Sequence, residues 1–211
     1  MGGQLLRQLL ESKEYSRVTA LVRRPLSLTH SKLEQVIVDF SNLEKVSADL
    51  HCDVAFCCLG TTIRAAGSQE KFRAIDQTAV LAFAWAAKRH GAQRFFTISS
   101  LGADAQSRFF YNRVKGETEE ALTILGFPTL RIFRPSLLLG SRPQPRWGER
   151  IAAVILWVVE PLLVGRLKKY RAIEAAVVAR AMERCSLGGV DQTGARIFLS
   201  DEIQDLGGYS G

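Results

Sequence analysis

Three short apolar runs fix what this chain can become. They are "DVAFCCLG" at residues 53–60, "RFFTISS" at 94–100 and "TLRIFRP" at 129–135, and stretches with helical spacing separate them. A strand that is apolar throughout has no face to give to water, so it needs cover on both sides. Alternation of strand and helix supplies that cover, because each crossover helix packs back onto the sheet. The expected fold is therefore α/β: a doubly wound parallel sheet with helices on both faces. Further strands are expected at 18–22, 36–40 and 195–200. Helices are expected at the start of the chain, where Leu5, Leu6, Leu9 and Leu10 share a face, over 68–89 with Gly91 just beyond, and over 110–125, stopped by Gly126 and Pro128. A short polar helix should follow the 36–40 strand, and two more helices should occupy 149–164 and 170–184.

A chain of 211 residues suits one domain over 1–211, with 142–185 as a helical segment that lines a substrate pocket or meets a partner. The net charge of +7 would suit a phosphorylated ligand, a membrane surface or nucleic acid. No run of five Lys or Arg occurs, so nucleic acid is not expected as a partner. The four cysteines, Cys52, Cys57, Cys58 and Cys185, include no C-x-x-C, and no histidines stand at ligand spacing. A zinc site is thus not expected, and Cys57 and Cys58 read as small buried hydrophobes in a reducing compartment. The apolar stretch 151–164 contains Glu160 and Pro161 and falls short of the ~20 residues that a spanning helix needs. No transmembrane segment is expected, and the chain is expected in the cytoplasm.

In a doubly wound sheet, ligands bind beyond the carboxyl ends of the strands. The residues found there carry the chemistry. "YNRVK" puts Tyr111 and Lys115 four residues apart, hence on one helix face. A phenol is a poor acid–base group near neutrality, and a neighbouring ammonium favours its ionised form. A hydroxyl from Ser100 would hold a carbonyl oxygen beside the phenol, while a nicotinamide exchanges hydride with the carbon. The plainer reading is a Tyr packed on the core and a Lys in solvent. Arg23 and Arg24 end the 18–22 strand, where dinucleotide folds carry an acid for the ribose hydroxyl; a guanidinium there suits the 2′-phosphate of NADP. Two solvated arginines are the alternative. Asp39, with Phe40 after it, borders the adenine or begins a turn. Gly60 lets backbone approach a cofactor, and Thr61 bonds it or caps a turn.

These motifs together resemble a known family. "FCCLGTT", "FRAID", "SSLGADAQSRFFYNRVKGETE" and "LRIFRPSLLLG" are similar to the atypical short-chain dehydrogenase/reductases, in the branch of the Tat-interacting protein and its bacterial relatives. The resemblance implies a Rossmann-type fold and NADP(H) as cofactor. It implies Ser100, rather than Ser99, with Tyr111 and Lys115 as the catalytic set. It also implies cofactor contacts from Leu59, Gly60, Pro135 and Ser136. Members begin with a strand and "G-x-x-G-x-x-G"; Gly2 matches the last of those glycines, so the first strand and two glycines are absent here. The expected sheet is N-terminally truncated, lacking a strand between those at Val18 and Val54, through a misplaced start or a shortened form. The expected function is NADPH-dependent reduction of a carbonyl, or oxidation of an alcohol, on a small molecule. The alternative is a low-turnover NADPH-sensing interaction protein; under either reading a homodimer is left open.

Overall fold

The computed structural model describes residues 1–43, 50–139, 165–187 and 193–208. Helix α1 (Gly2–Glu11) buries Leu5, Leu9 and Leu10, three of the four leucines whose spacing marked it as amphipathic. Strand β1 (Val18–Val22) then pairs in parallel with β2 (Leu33–Ile37), from Val18 opposite Leu33 to Val22 opposite Ile37. The second strand therefore ends three residues earlier than the apolar pattern suggests. Asp39 is the reason: its carboxylate accepts the Ser41 N–H at 2.9 Å and the Ser41 hydroxyl at 2.7 Å, which turns the chain out of the ladder. Most of the polar helix expected next lies outside the described residues.

The main sheet contains β3 (Val54–Cys57), β4 (Arg94–Ile98) and β5 (Thr129–Arg134), flanked on the far side by a later strand over Gly194–Leu199, all parallel. Between β3 and β4 run α2 (Ile63–Ala66), α3 (Gln69–Arg73), a π turn (Ala74–Thr78) and α4 (Ala79–Arg89). The expected helix over 68–89 is thus present but widened in its middle. Gly91 has φ +97°, as a residue just past a helix end needs. Helix α5 (Phe110–Leu125) ends at Gly126, φ +67°. After β5 come two short strands, β6 (Leu138–Leu139) and β7 (Ile173–Glu174), paired with each other. A 3₁₀ turn (Gly165–Tyr170) precedes β7. Helix α6 (Ala175–Leu187) starts five residues later than expected, because Ile173 N–H is committed to the Leu137 carbonyl at 2.9 Å. The chain continues with β8 (Gly194–Leu199) and α7 (Ser200–Gly207). The helix expected at 149–164 falls outside the described residues.

Strand alternation divides the core into two layers. Leu5 and Leu9 of α1 pack with Phe96, Phe133, Phe198, Val178, Met182 and Ile203 on one face. Val80, Ala84 and Ala87 of α4 and Leu122 of α5 pack with Phe95, Leu130 and Ile132 on the other. Neighbours in sequence, Phe95 and Phe96, or Ile132 and Phe133, therefore serve opposite faces, and each buried side chain contributes about 1.5–3 kcal/mol. Among the described residues, no strand joins β1 to β3, and the β1–β2 pair stands apart from the four-stranded sheet. No helix of the described residues is long and apolar enough to cross a membrane.

Candidate active site

Helix α5 presents Tyr111 and Lys115 one turn apart, near its first residues. Lys115 is buried, and a buried ammonium needs a counter-charge. Its partner is Asp76, which sequence reasoning misses. Asp76 Oδ1 lies 2.7 Å from Lys115 Nζ, while Asp76 Oδ2 accepts the Thr61 N–H at 2.8 Å. Asp76 itself is buried in the π turn, whose carbonyl at that residue accepts the Thr118 hydroxyl at 3.3 Å. Gly60 packs against both charges: a Cβ there would stand 3.4 Å from Asp76 Oδ1 and 3.8 Å from Lys115 Nζ. One carboxylate thus joins the turn after β3 to the second turn of α5.

The Tyr111 ring is held by packing. Its centroid is 5.2 Å from that of Phe72, which is fully buried and also meets Phe110 at 5.9 Å. The loop that follows β4 and Ser100 is tied to this turn of helix through Gly102 and Asp104. Ala103 N–H bonds the Ser100 carbonyl at 3.0 Å, and Asp104 N–H bonds the Asn112 carbonyl at 3.1 Å. A Cβ on Gly102 would touch the Asn112 amide at 2.9 Å. Farther along α5, a Cβ on Gly116 would overlap the backbone of Asp104 and Ala105. The hydroxyls of Ser99 and Ser100 are buried without a hydrogen-bond partner among the described residues. Beyond them, Glu119 takes two bonds from Arg134 Nε, at 3.0 and 3.1 Å, and pins α5 to the end of β5.

The remaining candidates are less gathered. Pro135 is buried, with its carbonyl accepting Leu101 N–H at 3.2 Å. The Ser136 hydroxyl donates to the Arg171 carbonyl, and the Ser136 N–H donates to Ser200 Oγ at 3.2 Å. Arg23 and Arg24 are exposed after β1. Asp39 is exposed, with hydrogen bonds from the Ser41 hydroxyl, the Ser41 N–H and Asn42 holding its carboxyl below the usual range; Phe40 beside it is half-buried. Leu59 is half-buried, Gly60 exposed and Thr61 half-buried at the end of β3. Gly2, at the start of α1, faces that same strand end, since a Cβ on it would lie 3.5 Å from Cys58 Cβ. Burial pushes the Cys57 thiol up to about 11 and the Cys58 thiol up to about 12, so neither is a nucleophile near neutrality.

This donor set fits a dinucleotide. Gly60 offers bare backbone, the serine hydroxyls offer unspent hydrogen bonds, and Lys115 spends one of three N–H donors on Asp76. Comparison with known proteins points the same way. The sequence profile described as NAD(P)H-binding matches residues 1–123. Protein HTATIP2 of Rattus norvegicus is 40% identical over 155 residues, covering 72% of this chain and 64% of that protein. The chain therefore matches just under two thirds of the rat relative. Protein FMP52, mitochondrial, of Candida albicans is 33% identical over 213 residues, covering 98% of this chain and 93% of that protein. Among solved structures, MoeE5 in complex with UDP-glucose and NAD superposes with a TM-score of 0.66 at 14% identity, over 98% of this chain and 77% of that one. UDP-glucose 4-epimerase of Thermotoga maritima with UDP-glucose gives 0.65 at 13% identity, over 100% and 80%. At such identities these two speak for the fold, a Rossmann-like α/β arrangement.

Proposed function

The chain belongs to the NAD(P)H-binding family, and from that premise we propose that it is an NADPH-dependent oxidoreductase of the short-chain type, interconverting a carbonyl and an alcohol on a small molecule. The observation that carries this reading is the buried Lys115 ammonium beside the Gly60 backbone, one helical turn after Tyr111. Bound NADP(H) would supply or accept the hydride at the substrate carbon. Tyr111 gives a proton to the substrate oxygen in reduction and takes it back in oxidation. The Ser100 hydroxyl, without a protein partner, donates to that oxygen and orients it. Lys115 uses its two remaining donors on the nicotinamide ribose. Arg23, with Arg24 beside it, holds the 2′-phosphate, which a guanidinium grips bidentately. Gly2, Asp39, Phe40, Leu59, Thr61, Pro135 and Ser136 complete the proposed cofactor contacts. We place this activity in the cytoplasm; the FMP52 relatives carry "mitochondrial" in their names, and cell fractionation decides between the two.

One observation favours a second reading. Asp76 pairs with Lys115 at 2.7 Å, so the lysine answers a carboxylate of the protein as well as any cofactor. A site so balanced suits a low-turnover NADPH sensor. The experiment is a titration with NADPH, and with NADH beside it, followed by a panel of aldehydes and ketones on the native chain and Tyr111→Phe. The enzyme reading expects tighter NADPH binding, and turnover that falls roughly 10²–10⁴-fold in Tyr111→Phe while cofactor affinity holds. Turnover unchanged in Tyr111→Phe overturns it. Tight NADPH binding with no substrate-dependent oxidation selects the sensor.

A further inference from the structure

One arginine near the strand ends keeps its donors unspent. Among the described residues, every other arginine that is buried or half-buried bonds a carbonyl or a side-chain oxygen. Arg94 takes the Ser186 carbonyl at 2.6 Å, Arg134 the Glu119 carboxylate at 3.0 Å and Arg180 the Gly207 carbonyl at 2.7 Å, and Arg73, Arg113 and Arg131 are committed likewise. Arg171 is half-buried, and its Nε is buried without a partner. Its guanidinium makes no hydrogen bond or ion pair among the described residues. Such a donor is met by water or by a ligand, because leaving it bare is costly.

Its place favours a ligand. The Arg171 carbonyl accepts the Ser136 hydroxyl and, at 3.5 Å, the Ser200 hydroxyl, while the Ser136 N–H donates to Ser200 Oγ at 3.2 Å. Ser136 lies just beyond β5 and Ser200 just beyond β8. Leu101 N–H, next to Ser100, donates to the Pro135 carbonyl at 3.2 Å. In the sheet order β3, β4, β5, β8, the strand ends therefore carry Gly60, Ser100, Ser136 and Ser200 in turn. Lys115 and Gly60 stand on one side of Ser100, and the backbone of Arg171 is anchored on the other. A dinucleotide that reaches Ser100 from the Gly60 side leaves the β5–β8 side to the substrate.

We propose that Arg171 is the substrate-recognition residue of this site, and that its guanidinium takes an anionic group, a carboxylate or a phosphate, carried by the carbonyl compound. The proposal deepens the oxidoreductase reading and rests on it for what that compound undergoes. A guanidinium meets either anion with two parallel N–H bonds. Asp201, the residue after Ser200, also keeps a buried oxygen, Oδ1, without a partner. That acceptor suits a hydroxyl and repels an anion, so the anionic group goes to Arg171. A net charge of +7 on the chain favours the capture of such a ligand.

The test has a binding arm and a turnover arm, both on the full chain and Arg171→Met. Calorimetric titration with succinate and with inorganic phosphate, each with and without NADP, asks which anion the site holds. The better anion should bind roughly ten- to a hundredfold more weakly to Arg171→Met, the range for a charge-assisted hydrogen bond, while NADP affinity is unchanged. In turnover with NADPH, succinic semialdehyde is compared with butanal, and glyceraldehyde 3-phosphate with glyceraldehyde. The native chain should favour the anionic member of one pair, and Arg171→Met should lose that preference through KM. If Arg171→Met does not fold, Arg171→Lys, which keeps the charge and loses the fork, replaces it and should bind the anion more weakly than the native chain. Neither anion binding to the native chain overturns the proposal, and so does equal binding by the variant. A variant that loses NADP affinity assigns the guanidinium to the cofactor and overturns it too. Anion binding that depends on Arg171, with no aldehyde reduced, leaves the anion site standing and removes the oxidoreductase reading instead.

Discussion

Gly116→Ala should destabilise this protein, although helix propensity alone says the opposite. On an exposed helix, replacing glycine by alanine gains about 1 kcal/mol. At Gly116 the new Cβ would stand 2.1 Å from the Ala105 nitrogen, 2.3 Å from the Asp104 carbonyl carbon and 2.8 Å from Ala105 Cα. Non-bonded carbon atoms settle at about 3.5–4.0 Å, so α5 must lift from the 104–105 backbone by about 1 Å or more. Backbone on both sides leaves no rotamer to absorb the overlap, and overpacking of this kind costs about 1–3 kcal/mol. Lifting the helix also strains the Asp104 N–H to Asn112 carbonyl bond, worth about 1 kcal/mol. Set against the propensity gain, a net loss of about 1–3 kcal/mol remains. Urea unfolding reads it directly: the midpoint should drop by about 1 M with the slope unchanged. Gly3→Ala in α1 is the control, because its Cβ would meet nothing within 4 Å; that variant should be neutral or slightly more stable. A Gly116→Ala midpoint equal to or above the native one refutes the reasoning. So does a lowered midpoint shared by Gly3→Ala.

Two predictions concern titration. The Cys57 and Cys58 thiols are raised by burial to about 11 and about 12, against an ordinary 9.0. Their neutral forms favour the fold, so this contribution is complete below the unfolded value and is lost as pH climbs from about 9 toward the folded values. An aromatic disulfide reagent should therefore label them in mildly alkaline solution only as fast as the chain opens; labelling as fast as in denaturant refutes this. Glu117 is shifted the other way, chiefly by a hydrogen bond from Arg73. Its contribution is present above the ordinary 4.5 and is lost as pH falls through the lower folded value. Because the carboxylate is largely solvated, it amounts to less than about 1 kcal/mol. Urea midpoints taken across the acid range should accordingly fall less steeply in Glu117→Gln than in the native chain, and parallel curves refute the assignment.

Where structure follows from neighbours in sequence, the chain could be read directly. Helix α5 runs from Phe110 to Leu125 because an amphipathic repeat meets Gly126 and Pro128, and both signals are local. Strand β1 coincides with its apolar run for the same reason. Errors arise where a distant partner sets the boundary. The β2 strand is placed by its ladder with β1, and Asp39 turns away from it, so a run of apolar residues at 36–40 misleads by three positions. Helix α6 waits until Ala175 because two-residue strands β6 and β7 pair first, and pairs so short leave no periodicity to find.

Asp76 shows how such a partner could still have been inferred. "AIDQTAVLAFA" is a helical segment whose core side carries Val80 and Ala84, and a lone acid on that side has no solvent to serve it. An acid so placed demands a cation, because desolvation without one is prohibitive. On the other side, "YNRVK" places a lysine whose helix face is turned inward by Val114, Thr118 and Leu122, so this ammonium demands an anion. Each motif alone poses an unsolved burial problem, and each is the other's solution. The tyrosine–lysine spacing therefore carries less information than the burial it implies. Spacing selects a face, whereas burial selects a partner.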